Sequence, residues 1–315
     1  MNIYAIFISM LSIVFLGTGS GIPTISRNHS SIYLHYEGWH ALWDCGEGTQ
    51  RQLLIAGKSY MAIDHIFITH WHADHWAGII GLLQTMNLEK RRKPLYIYGP
   101  DAERFVADIL DMDYWGINFE VRAVQVPYEG SEIKKIYEGK GFDVFSIPTK
   151  HSIPSVAYCF KERDRWNVDI KKAERLYGLK QSPIVGRLKK YGEIVFKGKK
   201  IRLEDVATLR KGIKVVYTGD TEPCDNIVRL AKDADILIHD STFTEQVEDR
   251  MHSGAKEAGE IAKKSNVRLL VLTHFSRKYT NANILEKEAK KIFPNVRAAR
   301  DFMKVYFRKG EIIIK

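Results

Sequence analysis

Short β-branched and aromatic runs recur along the chain at Ser12–Leu16, Ser31–Tyr36, His40–Trp43, Asp64–Thr69 and Leu95–Tyr98, each of strand length. Gly48–Ala56, Trp76–Met86 and Pro100–Asp113 lie between or after them and read as helices, so the first part of the chain alternates β and α. Val121–Val126 and Ile133–Tyr137 read as strands of a more antiparallel stretch. Beyond them, strands are expected at Phe142–Pro148, Ile213–Tyr217, Asp235–His239 and Val267–Leu272. Helices are expected at Val168–Tyr177, Asp225–Lys232, Ala255–Lys264 and Ala282–Ile292. The last strands, Met303–Phe307 and Ile312–Ile314, are expected to complete a second sheet. The fold class is α/β.

With 315 residues and 45% hydrophobic content, the chain can fill a large core as one domain, or as one domain with an insertion. Residues 1–16 form an apolar N-terminus without Lys or Arg, shorter than the ~20 residues that a spanning helix needs. Ser12–Leu16 reads instead as the first strand, leading into the turn Gly17–Gly21. Met10 is the expected natural start, with residues 1–10 an extension and 11–315 the domain. Cys45, Cys159 and Cys224 are widely spaced without a CxxC pair, which argues against a disulfide framework or a Cys-rich zinc site. A reducing compartment is expected. The net charge of +10 favours a polyanionic partner only if it is concentrated.

The densest chemistry is His70-Trp71-His72-Ala73-Asp74-His75, at the end of the run Asp64–Thr69. In an extended segment positions i and i+2 share a side, so His70 and His72 can face one centre, and Asp74 and His75, past the bend, a second. Nitrogen ligands with a carboxylate suit zinc, and two metals about 3.5–4 Å apart form a clamp for phosphoester hydrolysis. Three further apolar strands deliver His151, Asp220 and His274 at their C-terminal ends. Asp44 closes another strand and reads equally well as a turn or helix-cap residue.

The His-x-His-x-Asp-His segment resembles the metal motif of the metallo-β-lactamase superfamily. Phe15-Leu16-Gly17-Thr18-Gly19-Ser20-Gly21-Ile22-Pro23, Asp44-Cys45-Gly46-Glu47-Gly48-Thr49-Gln50-Arg51-Gln52 and Thr218-Gly219-Asp220-Thr221 narrow the match to its ribonuclease Z family, from about Leu11 to the C-terminus. The resemblance implies an αββα sandwich and a zinc-dependent endonuclease that trims the 3′ side of precursor tRNA, leaving a 3′-hydroxyl and a 5′-phosphorylated trailer. It implies two zinc ions per chain, one on His70, His72, His151 and Asp220, the other on Asp74, His75, Asp220 and His274. It makes Asp44 a residue that orients the metal site and Asp74 the proton acceptor for the attacking water. His252 becomes the proton donor to the departing 3′ oxygen, within His-Ser-Gly where the family has His-Ser-Thr. Arg277 and Lys278 fall where the family keeps a phosphate-binding cation. A homodimer in the cytoplasm, with no membrane association, is also expected.

Between His151 and Asp220 the charge is concentrated: residues 161–200 hold 13 Lys/Arg against 5 Asp/Glu, interleaved with Trp166, Tyr177 and Tyr191. So much charge is not buried in a catalytic core, and the segment is expected to project as an arm that grips phosphate backbone. Lys180, Arg187, Lys189 and Lys190 are its candidate contacts, and Ser182-Pro183 stands where many ribonuclease Z arms have Gly-Pro. A lactonase or thioesterase type of small-molecule hydrolase would share the metal motif but has no use for such an arm.

Overall fold

The computed structural model describes residues 11–112, 116–245, 251–308 and 310–315. The expected extension at residues 1–10 lies outside the described residues. The chain divides into two compact units, one of residues 1–138, 144–160 and 214–315, the other of 139–143 and 161–213.

The first unit holds two sheets. In spatial order the eight-stranded sheet runs Glu311–Ile314, Lys304–Arg308, Leu11–Gly17, Ser31–Tyr36, Trp39–Trp43, His65–Phe67, Leu95–Gly99 and Val121–Gln125. The seven-stranded sheet runs Val296–Ala298, Leu269–Thr273, Ile236–Asp240, Lys214–Tyr217, Val156–Glu162, Phe142–Pro148 and Lys134–Gly139. The residues around His65–Phe67 show why the sheets stack. Ile66 and Ile68 join a cluster with Leu53, Ile79, Leu82, Leu83, Met86, Val106 and Ile109, the buried faces of the helices Thr49–Ile55, Gly78–Leu88 and Ala102–Asp111. Phe67 alternates to the opposite face and meets Tyr158 of the second sheet edge-on, with ring centroids 5.4 Å apart. A strand apolar on both faces must be covered on both, which gives helices outside and sheet against sheet inside. Truncating Phe67 to Ala would cost about 3–5 kcal/mol by opening a cavity between the sheets.

Two expectations are corrected. Val121–Gln125 pairs parallel, not antiparallel, with Leu95–Gly99, because the helix Ala102–Asp111 carries the chain back across the sheet before the next strand begins. The terminal strands join the first sheet, not the second: Ile13 faces Val305 in an antiparallel pair. Their buried Val305 and Phe307 cover the edge that Leu11–Gly17 would otherwise leave open. The second sheet ends instead on the three-residue strand Val296–Ala298, too short to show a period.

The second unit has its own apolar cluster of Ala173, Leu179, Val185, Leu188, Ile201, Leu203 and Val206. The helix Ile170–Tyr177 starts at Asp169, whose carboxylate accepts from Lys172 N at 2.9 Å, and stops at the left-handed Gly178. Pro183 begins the helix Pro183–Tyr191, followed by the hairpin Glu193–Phe196 and Lys199–Arg202.

Candidate metal centre

Four candidate ligands of the first unit follow strands at their C-terminal ends. His70 follows His65–Phe67, His151 follows Phe142–Pro148, Asp220 follows Lys214–Tyr217 and His274 follows Leu269–Thr273. His72 closes the extended stretch, and the turn Ala73–Trp76 then brings Asp74 and His75 round. Close approach needs a glycine at Gly219: its φ is 59°, and a β-carbon there would lie 2.6 Å from Thr69 Cβ. His274 itself is held at φ 62°, and Asp44 at φ 57°, a region that costs side-chain-bearing residues energy and that surrounding bonds must enforce.

The seven side chains converge. His70, His72 and His151 place one donor atom each within 4.8 Å of one another, and so do Asp74, His75, Asp220 and His274. Asp220 stands between the groups, its Oδ2 3.6 Å from His70 Nε2 and 3.2 Å from His274 Nε2, its Oδ1 3.3 Å from His75 Nε2. Asp74 Oδ2 is 3.3 Å from His274 Nε2 and 3.5 Å from His75 Nε2.

Hydrogen bonds behind the histidines fix which nitrogen faces inward. Asp44 accepts from His75 Nδ1 at 2.7 Å, and also from Thr69 N at 2.8 Å and the Tyr217 hydroxyl at 2.7 Å. The Thr69 hydroxyl donates to Asp44 and is left to accept from His70 Nδ1 at 3.1 Å. Thr242 repeats the device, donating to Asp240 at 2.7 Å and accepting from His274 Nδ1 at 2.9 Å. His151 Nδ1 donates to the Met251 carbonyl at 2.9 Å. Four imidazoles are thus fastened by Nδ1–H and turn Nε2 to the centre, the arrangement that holds metal-ligating histidines in their tautomer.

This donor set fits a cation and fits poorly without one. His70 Nε2 and Asp220 Oδ1 are buried and make no hydrogen bond among the described residues. His151 Nε2 lies 3.1 Å from His72 Nδ1, two nitrogens competing for one proton. The electrostatics agree. Burial, with His75 nearby, holds His70 well below its ordinary value, and burial also lowers His72 and His151. Burial acts the same way on His75 and His274, but Asp220, Asp74 and their neighbouring carboxylates outweigh it. They hold His75 well above its usual value and push His274 up to about 10. Protons drawn onto these two imidazoles stand where a metal's positive charge would stand.

The cavity at the centre is about 530 Å³, lined among others by His72, Asp74, His151, Asp220, His252, His274, Arg277 and Lys278. His252 Nδ1 meets Asp240 Oδ2 at 2.9 Å, and its ring stacks on His274 with centroids 5.2 Å apart. Burial works against its charge, yet Asp240 and Asp220 raise its pKa above the ordinary value. Asp74 is driven the other way: burial resists, but His75 and His274 hold its carboxyl well below the usual range. Arg277 and Lys278 are exposed at the rim. Lys180, Arg187, Lys189 and Lys190 lie exposed in the second unit, Lys180 3.4 Å from Glu174.

Asp240, Thr242, Thr69 and Tyr217 were not singled out from the sequence. Asp240 also accepts from the backbone N–H groups of Thr221 and Thr242 at 3.1 and 3.0 Å, so one buried carboxylate orders three segments. The signal was available, because Asp240 ends an apolar strand as Asp44 does.

Residues 11–176 match the family model described as anti-Pycsar protein Apyc1, and residues 203–275 match the β-lactamase superfamily domain. The chain is 41% identical to the ribonuclease Z of Archaeoglobus fulgidus, over 93% of this chain and 97% of that protein. It is 42% identical to the ribonuclease Z of Thermococcus kodakarensis, over 96% of each. The crystal structure of human tRNase Z, short form, superposes with a TM-score of 0.68 at 26% identity, covering 94% of this chain and 99% of that one.

Proposed function

This chain belongs to the ribonuclease Z family and is a tRNA 3′-processing endoribonuclease, and we propose that it cuts precursor tRNA with two zinc ions held by the seven clustered side chains. Through residues 11–176 it belongs as well to the family described as anti-Pycsar protein Apyc1. The observation that carries the reading is the set of four imidazoles turned inward by bonds to Asp44, Thr69, Thr242 and the Met251 carbonyl. A donor set of five imidazoles and two carboxylates suits zinc. His70, His72 and His151 would hold one ion, Asp74, His75 and His274 the other, with Asp220 shared.

When bound, such ions acidify a water from about 15.7 toward about 7 and offset charge on the phosphoryl oxygens. Asp74, ionised and facing the cavity, accepts the proton of the attacking water. His252 keeps its proton because Asp240 lies against Nδ1, and its Nε2 side remains to protonate the departing 3′ oxygen. Arg277 and Lys278 at the rim receive the phosphates flanking the cut. Lys180, Arg187, Lys189 and Lys190 grip the body of the tRNA through its backbone, residues 161–200 serving as the arm. The products are a tRNA with a 3′-hydroxyl and a trailer with a 5′-phosphate.

The protein works as a homodimer in the cytoplasm. Leu54 and Ile55, 58% and 51% exposed, give a second copy an apolar face. The three cysteines are unpaired, and among the described residues no helix is long and apolar enough to cross a membrane.

Incubation with an end-labelled precursor tRNA, followed by analysis of both new termini, tests the reaction. A single cut that leaves a 3′-hydroxyl and a 5′-phosphate is expected. A 2′,3′-cyclic phosphate would refute water as the nucleophile.

A further inference from the structure

The strand-end rule that builds the metal centre runs one strand further. Lys214–Tyr217, Ile236–Asp240, Leu269–Thr273 and Val296–Ala298 lie side by side and parallel, so all four end at one edge of the sheet. The first three deliver Asp220, Asp240 and His274. The fourth delivers Arg300, two residues past its end.

Arg300 and Arg297 are exposed and, together with Arg27, line a separate cavity of about 680 Å³. Among the described residues neither Arg297 nor Arg300 has a carboxylate partner. The acid in the lining is Glu286, already occupied by Ala298 N at 2.6 Å and by Lys290 at 2.5 Å. Arg27 is fixed in the wall: its guanidinium lies 4.5 Å over the Phe275 ring and donates to the Ala299 carbonyl at 3.1 Å. The same two loops line both cavities. Ser20–Ile22 and Ser276–Lys278 face the metal centre, while Arg27 and Asn281–Asn283 face the arginines.

Among the described residues the lining has no aromatic side chain on which a base or nucleoside could stack, and Arg297 and Arg300 are solvent-accessible. That suits a phosphate on a continuous strand better than a small metabolite, whose sites are mostly apolar and enclosed. Arginine's forked guanidinium matches phosphate geometry in two-point contacts. We propose that this cavity holds a backbone phosphate of the precursor RNA outside the scissile position, with Arg297 and Arg300 as its cation pair. The inference rests on the RNA-cleaving function above.

The test compares the zinc-loaded wild type with the double variant Arg297→Gln/Arg300→Gln, binding precursor tRNA and a 5′-phosphorylated oligouridylate across a salt series. The plot of log affinity against log salt should become shallower by about one per arginine for precursor tRNA, with the oligouridylate weakened too. Arg297→Lys/Arg300→Lys should recover most of the slope, because a point charge still displaces counterions. Zinc content and hydrolysis of bis(p-nitrophenyl) phosphate should stay at wild-type levels. An unchanged salt slope overturns the site, as does loss of zinc or of the aryl phosphodiester activity, which would make the arginines part of the fold. If the wild type fails to cut precursor tRNA while the oligouridylate still depends on the arginines, the site stands and the tRNA reading falls.

Discussion

His252 Nδ1 lies 2.9 Å from Asp240 Oδ2, and the same carboxylate, through Oδ1, holds the Thr242 hydroxyl that accepts from His274. One buried aspartate therefore orients both the proposed proton donor and a candidate metal ligand. Replacing His252 by Ala should lower turnover of precursor tRNA by about 10²–10⁴-fold, with zinc content and substrate binding near normal. An aryl phosphodiester has a better leaving group and should lose far less. Equal losses on the two substrates would argue for a positional role, and loss of zinc for a structural one.

Among the described residues, Asp220 is the one carboxylate within 3.6 Å of His70, His75 and His274 alike. Asp220→Ala should release metal from both halves of the centre and abolish activity, which elemental analysis and a cleavage assay would show together. Retention of two metals per chain would remove Asp220 from the shared position.

The second unit packs around its own cluster, and within it Arg165–Val168 pairs with Ala207–Arg210. Excising residues 165–210 and joining the ends with a short Gly-Ser link should weaken precursor-tRNA binding and flatten its salt dependence. Hydrolysis of bis(p-nitrophenyl) phosphate should persist. Unchanged tRNA cleavage would make the segment a solvated insertion, and loss of both activities would report damage to the fold.

His65, away from the metal centre, is buried among Tyr96, Tyr98 and Tyr137, and burial pushes its pKa from 6.5 down to about 4. Between those values the unfolded chain binds a proton that the folded chain refuses, so stability falls as pH drops through that window. The full difference is worth about 3 kcal/mol. His65→Gln, compared with wild type in chelator, should show a shallower loss of the urea midpoint from pH 6.5 to pH 4. Identical pH slopes would contradict this.

The place of His70, His151, Asp220 and His274 at strand ends was legible because the strands before them are apolar runs closed by polar residues. Asp240 was equally placed, but its carboxylate acts through contacts 12 and 34 residues away, with His252 and His274. The parallel pairing of Val121–Gln125 and the return of Lys304–Arg308 to Leu11–Gly17 were hidden for a related reason. Periodicity reports which face of a strand is buried, whereas strand partners are chosen by loop length and by edges that need covering. The charge of residues 161–200 was plain, yet the helix Pro183–Tyr191 inside it was not, its buried Val185 and Leu188 standing among Arg187, Lys189 and Lys190.

The most direct test of the account strips the protein of metal, adds back zinc in steps, and follows cleavage of a labelled precursor tRNA with bound zinc counted at each step. The expected result is no cut in the stripped protein and full activity as occupancy reaches about two ions per chain. Full-rate cleavage at the same bond by protein held in chelator, with no measurable zinc, would contradict it.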